Sequence, residues 1–223
     1  MQINSFLVKK LQVSHQEIKA AIDMGQVCID DVKATPKQMV NSTNTIMYKQ
    51  KIIQEGKAFF YYAYNKPLGV ESTLNVGIAN NLVEASGIQD YFFPIGRLDK
   101  LSEGLMILTN DGNLYKEITD IKKAIAKIYR VEIDREITDE FIKNLAEGIV
   151  IMGTKTRPCR VDSIDRNHFQ ITLLEGRNRQ IRRMCYKFNY EVLSLKRIAI
   201  GKLKLNDLSV GGIKQVSKNE ILG

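Results

Sequence analysis

The stretch "FFPIGRLDKLSEGLMILTNDG", residues 92 to 112, constrains the fold more than any other. It holds two apolar runs, each too short for a helix and each bounded by glycine or turn residues, so both read as strands. Gly96 leads out of the first run, Gly104 leads into the second, and Asn110-Asp111-Gly112 closes it. The polar segment between the runs is a loop at the rim of a sheet, and Asp99 sits in it between Arg97 and Lys100. By itself an aspartate in such a position is ordinary turn chemistry.

The surrounding pattern makes the sheet mixed. "AFFYYAY", "KIYRVEI", "HFQITLL", "EVLSLKRIAI" and "KLKL" read as further strands, while "NLYKEITDIKK", "TDEFIKNLAEG" and "NRQIRRMCYKF" carry helical spacing. Strands and helices do not alternate regularly, and neither a P-loop nor G-x-G-x-x-G occurs, so an α+β class is predicted and nucleotide-binding α/β folds are disfavoured. Alternation in "KIYRVEI" puts Tyr129, Val131 and Ile133 on one strand face. In the helix around 180, Ile181, Met184, Cys185 and Phe188 form a buried stripe, with Arg182 at its edge and Arg179, Arg183 and Lys187 in an outward row.

Residues 1 to 56 read as a separate small unit with its linker, and 57 to 223 as the larger domain. In the first, Phe6, Leu7 and Leu11 recur at helical spacing. Ser14-x-x-Glu17 then opens a second helix as a capping box, Gly25 ends it, and "QVCID" supplies a short strand. Gly56 is expected to act as a hinge.

The chain carries 33 Lys and Arg against 25 Asp and Glu, a net charge of +8, which suits a polyanionic partner. All eleven arginines lie from Arg97 onward, whereas residues 1 to 57 hold eight lysines and none. The arginine fork suits phosphate and base edges, so the chemistry is expected in the larger domain. Three scattered cysteines and two histidines offer neither a disulfide framework nor a metal site. No apolar run approaches the roughly 18 residues of a membrane span, and the start lacks the sections of a signal peptide, so a cytoplasmic location is expected.

Four segments together resemble the RsuA family of pseudouridine synthases, the ribosomal RNA branch with an N-terminal S4 domain. They are "NKPLG" (65 to 69), "GRLDKLSEGLMILTNDG" (96 to 112), "KIYRV" (127 to 131) and "GRNRQIRRM" (176 to 184). "FPIGRLDKLSEGL", "GTKTRPCRV" and "NRQIRRMCYKFNYEV" look most like the synthases that modify large-subunit ribosomal RNA, particularly the RluF type. Residues 1 to 50 resemble the S4 module, where Lys9, Lys10 and Lys19 would carry phosphate contacts or form an ordinary solvated face.

The resemblance implies a fold: the S4-like unit, then a catalytic domain with a central, mainly antiparallel sheet flanked by helices. It implies that Asp99 is the essential carboxylate, either attacking C1′ of the target uridine or removing its 2′ proton. Arg182 is implied to pair with Asp99, since loss of water disfavours a carboxylate's charge and a guanidinium restores it. Tyr129 is implied to stack on the base, its hydroxyl taking the C5 proton; without the motif it would read as a core tyrosine. Lys66, Arg97, Arg177, Arg179 and Arg183 are expected to line the site or meet the RNA backbone, helped by Lys196 and Arg197 in the same basic stretch. The reaction is an isomerisation and implies no cofactor. The implied partner is ribosomal RNA, with transfer RNA as an alternative substrate and a non-catalytic RNA-binding protein as the alternative from another class; the family expectation is a monomer.

Overall fold

The computed structural model describes residues 1 to 223. The chain divides into two compact units, Met1–Phe59 and Phe60–Gly223. No helix is long and apolar enough to cross a membrane.

In the first unit, helices α1 (Ile3–Leu11) and α2 (His15–Asp23) precede strands β1 (Val27–Ile29), β2 (Val32–Lys33), β3 (Ile46–Tyr48) and β4 (Lys51–Gln54). Ser14 caps α2 by accepting from the Glu17 backbone N–H at 3.1 Å. The Glu17 carboxylate turns instead to the Tyr48 hydroxyl, so half of the expected capping box forms. The strands make an antiparallel sheet in the order β2-β1-β3-β4. Ile3, Leu7, Ile18, Ile22, Val27 and Ile46 fill the core beneath it. Lys9, Lys10 and Lys19 are all exposed.

Gly56 is no hinge. A Cβ there would meet the Thr43 carbonyl oxygen at 2.3 Å, and its N–H donates to Thr45 Oγ1 at 3.0 Å. The glycine lets two backbone segments of the first unit touch, and "KIIQ", which precedes it, is a strand of that unit's sheet.

The second unit runs β5 (Tyr61–Lys66), α3 (Leu82–Ser86), β6 (Phe93–Ile95), β7 (Glu103–Thr109), α4 (Gly112–Thr119), β8 (Lys127–Ile133), α5 (Asp139–Glu147), β9 (Val150–Ile151), β10 (Thr154–Lys155), β11 (Arg160–Ser163), β12 (His168–Leu173), α6 (Gln180–Tyr186), β13 (Val192–Ile200), β14 (Leu203–Lys204), β15 (Ile213–Gln215) and α7 (Lys218–Leu222). Its main sheet has nine strands in the order β11-β12-β8-β13-β7-β5-β15, with β14 on β13 and β6 on β7. Every pairing is antiparallel except β13 with β7. This is the predicted α+β class.

Both faces of the sheet are covered, which explains why "LMIL" reads as an unbroken apolar run. Leu105 and Ile107 enter one core with Ala63, Leu114, Ile118 and Ile200. Met106 and Leu108 enter the other with Tyr129, Val131, Phe169 and Ile171. The stripe of α6 packs into that second core, where Ile181, Met184 and Cys185 are buried and Phe188 sits edge-on to Phe141 at 6.0 Å.

The parallel seam demands glycine. Arg197 on β13 pairs in register with Gly104 on β7 and with Tyr129 on β8. Gly104 has φ +103, and a Cβ there would lie 2.3 Å from the Arg197 carbonyl oxygen. An alanine would therefore be strained and would push the seam apart.

Candidate active site

The loop from Gly96 to Ser102 joins β6 to β7, and its carbonyls are held from four directions. Arg197 donates from Nη2 to Gly96 O at 2.5 Å and from Nε to Leu105 O at 2.6 Å. Ser72 Oγ donates to Leu98 O at 2.5 Å and accepts from the Leu98 N–H at 3.2 Å. The Gly69 N–H donates to Lys100 O at 2.9 Å, and Arg182 Nη2 donates to Leu101 O at 2.5 Å. Within the loop, the Ser102 N–H closes a turn onto Asp99 O at 3.0 Å. The backbone is thus fixed while the Asp99 carboxylate stays half-exposed above it.

That carboxylate faces a cavity of about 670 Å³, a size that admits a nucleotide. Leu98, Tyr129, Leu173, Ile181 and Leu195 give it an apolar wall, and Arg97, Asp99 and Arg179 give it a polar one. Tyr129 is 8% exposed and belongs to the same core as Val131 and Ile133, so the strand face read from alternation is the observed one. The Arg197 guanidinium carbon lies 6.0 Å from the centre of the Tyr129 ring. One buried arginine therefore touches both the loop that carries Asp99 and the aromatic wall opposite.

Arg182 does not form the ion pair expected of it. Its Nη1 donates to Val192 O at 2.7 Å and its Nη2 to Leu101 O, so both ends of the fork are spent on backbone. The guanidinium in contact with Asp99 is that of Arg179, Nη1 to Oδ2 at 3.7 Å. The physical reason lies in how α6 begins. Arg179 is the N-cap residue with φ +51, a left-handed turn that takes it off the helix's outward row. Arg182 remains close enough for Asp99 to favour its charge, while burial and the neighbouring Arg179 pull its pKa below the ordinary arginine value.

Other expected contacts are also redistributed. Lys66 is fully buried, and its ammonium donates to Pro67 O at 2.8 Å and Val70 O at 2.6 Å, so it braces the turn after β5 and presents no donor at the surface for RNA. Burial lowers its pKa to about 8, against the opposing pull of Glu103 and Asp99. Arg177 is held by Glu175 at 3.2 Å and by the carbonyls of Thr154 and Lys155 at 3.2 and 3.0 Å, so it braces the β9–β10 hairpin. Arg183 reaches Asn178, and Arg97 stands exposed at the cavity mouth. Lys196 pairs with Glu103 at 3.6 Å.

Two residues of the site carry no expectation from the motifs as site residues inside the fold: Arg197 and Lys127. Lys127 is 8% exposed, lines the cavity, and donates to Ile125 O at 3.2 Å, with burial lowering its pKa. The signal for both was strand alternation. Leu195, Arg197 and Ala199 share one parity on β13, as Lys127, Tyr129 and Val131 do on β8, and all six are buried. Reading Arg197 only as part of a basic stretch hides its place in that row.

Comparison with known proteins gives these features a common context. Residues 60 to 187 match the family model described as RNA pseudouridylate synthase. The dual-specificity RNA pseudouridine synthase RluF of Escherichia coli O6:H1 is 35% identical over 224 residues, an alignment that covers all of this chain and 77% of that protein. Ribosomal large subunit pseudouridine synthase B of Bacillus subtilis is 32% identical over 72% of this chain and 69% of its own length. Among solved structures, a pseudouridylate synthase superposes with a TM-score of 0.68 at 23% identity, covering 99% of this chain and 98% of its own, so the fold is shared along the whole length. The chain belongs to the RNA pseudouridylate synthase family and, within it, to the RsuA-family synthases of the RluF type.

Proposed function

We propose that this synthase isomerises a specific uridine of 23S ribosomal RNA, with Asp99 as its reactive carboxylate. The observation that carries the reading is the contrast at Asp99: backbone carbonyls on both sides of it are bonded, while the carboxylate meets protein only through Arg179 at 3.7 Å. Anchored backbone and an available carboxylate suit a group that must reach a sugar carbon or its neighbouring proton. The ribosomal large subunit relative and the RluF relatives support an RNA substrate of this class.

The target uridine must leave its stack to enter a cavity of this size, at a cost of a few kcal/mol. Its base then lies against Tyr129 and the apolar wall, and its ribose faces Asp99. Asp99 either attacks C1′ or takes the 2′ proton; in both routes the N1–C1′ bond breaks. The base turns and C5 bonds to C1′ as the Asp99–C1′ ester breaks or, on the second route, as Asp99 returns the proton to C2′. The C5 proton then leaves towards the Tyr129 hydroxyl and N1 gains a proton, so Asp99 ends as the free carboxylate. Uridine and pseudouridine share one formula, so no oxidant or co-substrate is consumed. Arg179 steadies the Asp99 charge directly. Arg182 acts through the loop, by fixing Leu101. The first unit serves as an S4-like RNA-binding module, with Lys9, Lys10 and Lys19 against phosphate. Transfer RNA is the second reading, favoured by the dual specificity named for the RluF relatives.

The test is a map of pseudouridines in 23S, 16S and transfer RNA from cells lacking the protein, repeated after incubation of those RNAs with the purified full chain. The reading requires one 23S site that disappears and is restored. Loss at a transfer RNA site alone favours the second reading, and unchanged maps overturn both.

A further inference from the structure

A second cleft, of about 820 Å³, lies on α6 next to the catalytic cavity, and the two share Arg179. Arg135, Arg182, Arg183 and Lys187 also line it, against two acidic residues, Asp134 and Glu191. Asp134 is already bonded to Arg135 at 2.9 Å and to the Glu191 N–H at 2.8 Å, which leaves the cations in excess. The aromatic groups here behave differently from one another. Tyr190 is structural, 9% exposed with its ring 4.0 Å from that of Phe141. Tyr186, the last residue of α6, is 79% exposed and packs against nothing in either core. Met152, on the same cleft, is 69% exposed. Arg182 adds a further mark, since its buried Nε has no hydrogen-bond partner although both Nη atoms are engaged.

We propose that this cleft is a second nucleotide subsite, which takes an unpaired nucleotide of the substrate RNA near the target uridine. The base stacks on Tyr186 with Met152 at its edge, and the phosphate lies between Arg183 and Lys187. Interleaved cations and an exposed ring are what a single strand recognises, because every base offers a π-face and every linkage a charge. The shared Arg179 wall means that one continuous strand reaches both concavities. A paired nucleotide presents no free face, so the subsite selects a target beside a bulge or in a loop. The proposal rests on the RNA-modifying activity of the family, and it is independent of which RNA is modified.

Two measurements test it, both on the full chain. In the first, ribosomal RNA transcripts carrying 4-thiouridine or 6-thioguanosine are photocrosslinked to the protein and the joined peptides are mapped. Crosslinks at Tyr186 or Met152 are expected; crosslinks confined to the catalytic cavity overturn the subsite. In the second, pseudouridine formation is followed on ribosomal RNA from cells lacking the protein. Tyr186→Ala should raise KM about tenfold at unchanged kcat, and Tyr186→Phe should keep the wild-type KM, because stacking needs the ring and not the hydroxyl. An unchanged KM in the alanine variant, or an equal loss in the phenylalanine variant, overturns it. If the wild type modifies none of these RNAs, the 23S assignment falls while the crosslinks still decide the subsite.

Discussion

Lys66, Lys127 and Arg197 are buried within the catalytic unit, whereas Arg97, Arg183 and Lys187 stand exposed on it, though all six are cations of one polypeptide with a net charge of +8. The buried three donate to backbone carbonyls: Pro67 and Val70 for Lys66, Ile125 for Lys127, Gly96 and Leu105 for Arg197. Burying a charge without a bonded carboxylate is expensive, and hydrogen bonds offset only part of the cost. For Arg197 that expense holds the backbone at both ends of the Asp99 loop, and for the two lysines it holds the turn after β5 and the entry to β8. The exposed three lie in solvent, where the proposed RNA would meet them, although Arg183 also donates to Asn178. Charge alone does not distinguish an architectural cation from a recognition cation; the backbone around each one does.

The largest separation between the two sets is expected at Arg197. Arg197→Met leaves the Gly96 and Leu105 carbonyls without their donor and withdraws the cation from Tyr129, which should destabilise the fold by about 3 kcal/mol. A loop displaced by about 1 Å should also cost roughly a hundredfold in kcat. Denaturant unfolding and single-turnover kinetics check the two effects. A variant with normal stability and turnover would place Arg197 among the recognition cations instead.

Lys66 separates the sets through pH. Its pKa is about 8 in the fold and 10.5 ordinarily, so between these values the unfolded chain binds more protons. Stability contributed by this group therefore rises as pH increases from about 8 towards 10.5. Burial pushes Cys159 up to about 11 and Cys185 to about 12, so both work the other way above pH 9, as Tyr61, pushed up to about 12, does above pH 10; roughly pH 8 to 9 is left as the window. The denaturation midpoint should climb across that window in the wild type and climb less in Lys66→Met. Parallel profiles would mean that Lys66 does not titrate inside the fold.

The smallest effect on the fold is expected at the exposed set. Arg183→Ala and Lys187→Ala should leave stability within about 0.5 kcal/mol of the wild type. Each should weaken RNA binding and lower the slope of log affinity against log salt by about 0.7 if it removes one phosphate contact to a single strand. Titrations at several salt concentrations measure this. An unchanged slope in both variants would remove them from the RNA surface.

Much of this arrangement was legible in the sequence. "KIYRVEI" is the observed β8 residue for residue, "TDEFIKNLAEG" holds the helix α5 that its spacing predicts, and the apolar stripe of α6 is buried as spaced. Short features escaped for physical reasons. β3 and β4 have little periodicity of their own and exist because they pair with each other and with β1. The choice between Arg179 and Arg182 as the neighbour of Asp99 turned on one left-handed residue at the start of α6, which helical spacing does not reveal. Arg197 was readable by parity, yet a basic residue among basic residues draws attention to charge before burial.

Asp99→Asn tests the central claim most directly. The carboxylate makes no bond on which the loop depends, since the loop is held through the carbonyls of Gly96, Leu98, Lys100 and Leu101. The variant should therefore fold as the wild type does, bind the same ribosomal RNA with similar affinity, and form no pseudouridine in a single-turnover assay. Appreciable pseudouridine formation by Asp99→Asn would contradict the assignment of Asp99 as the reactive group.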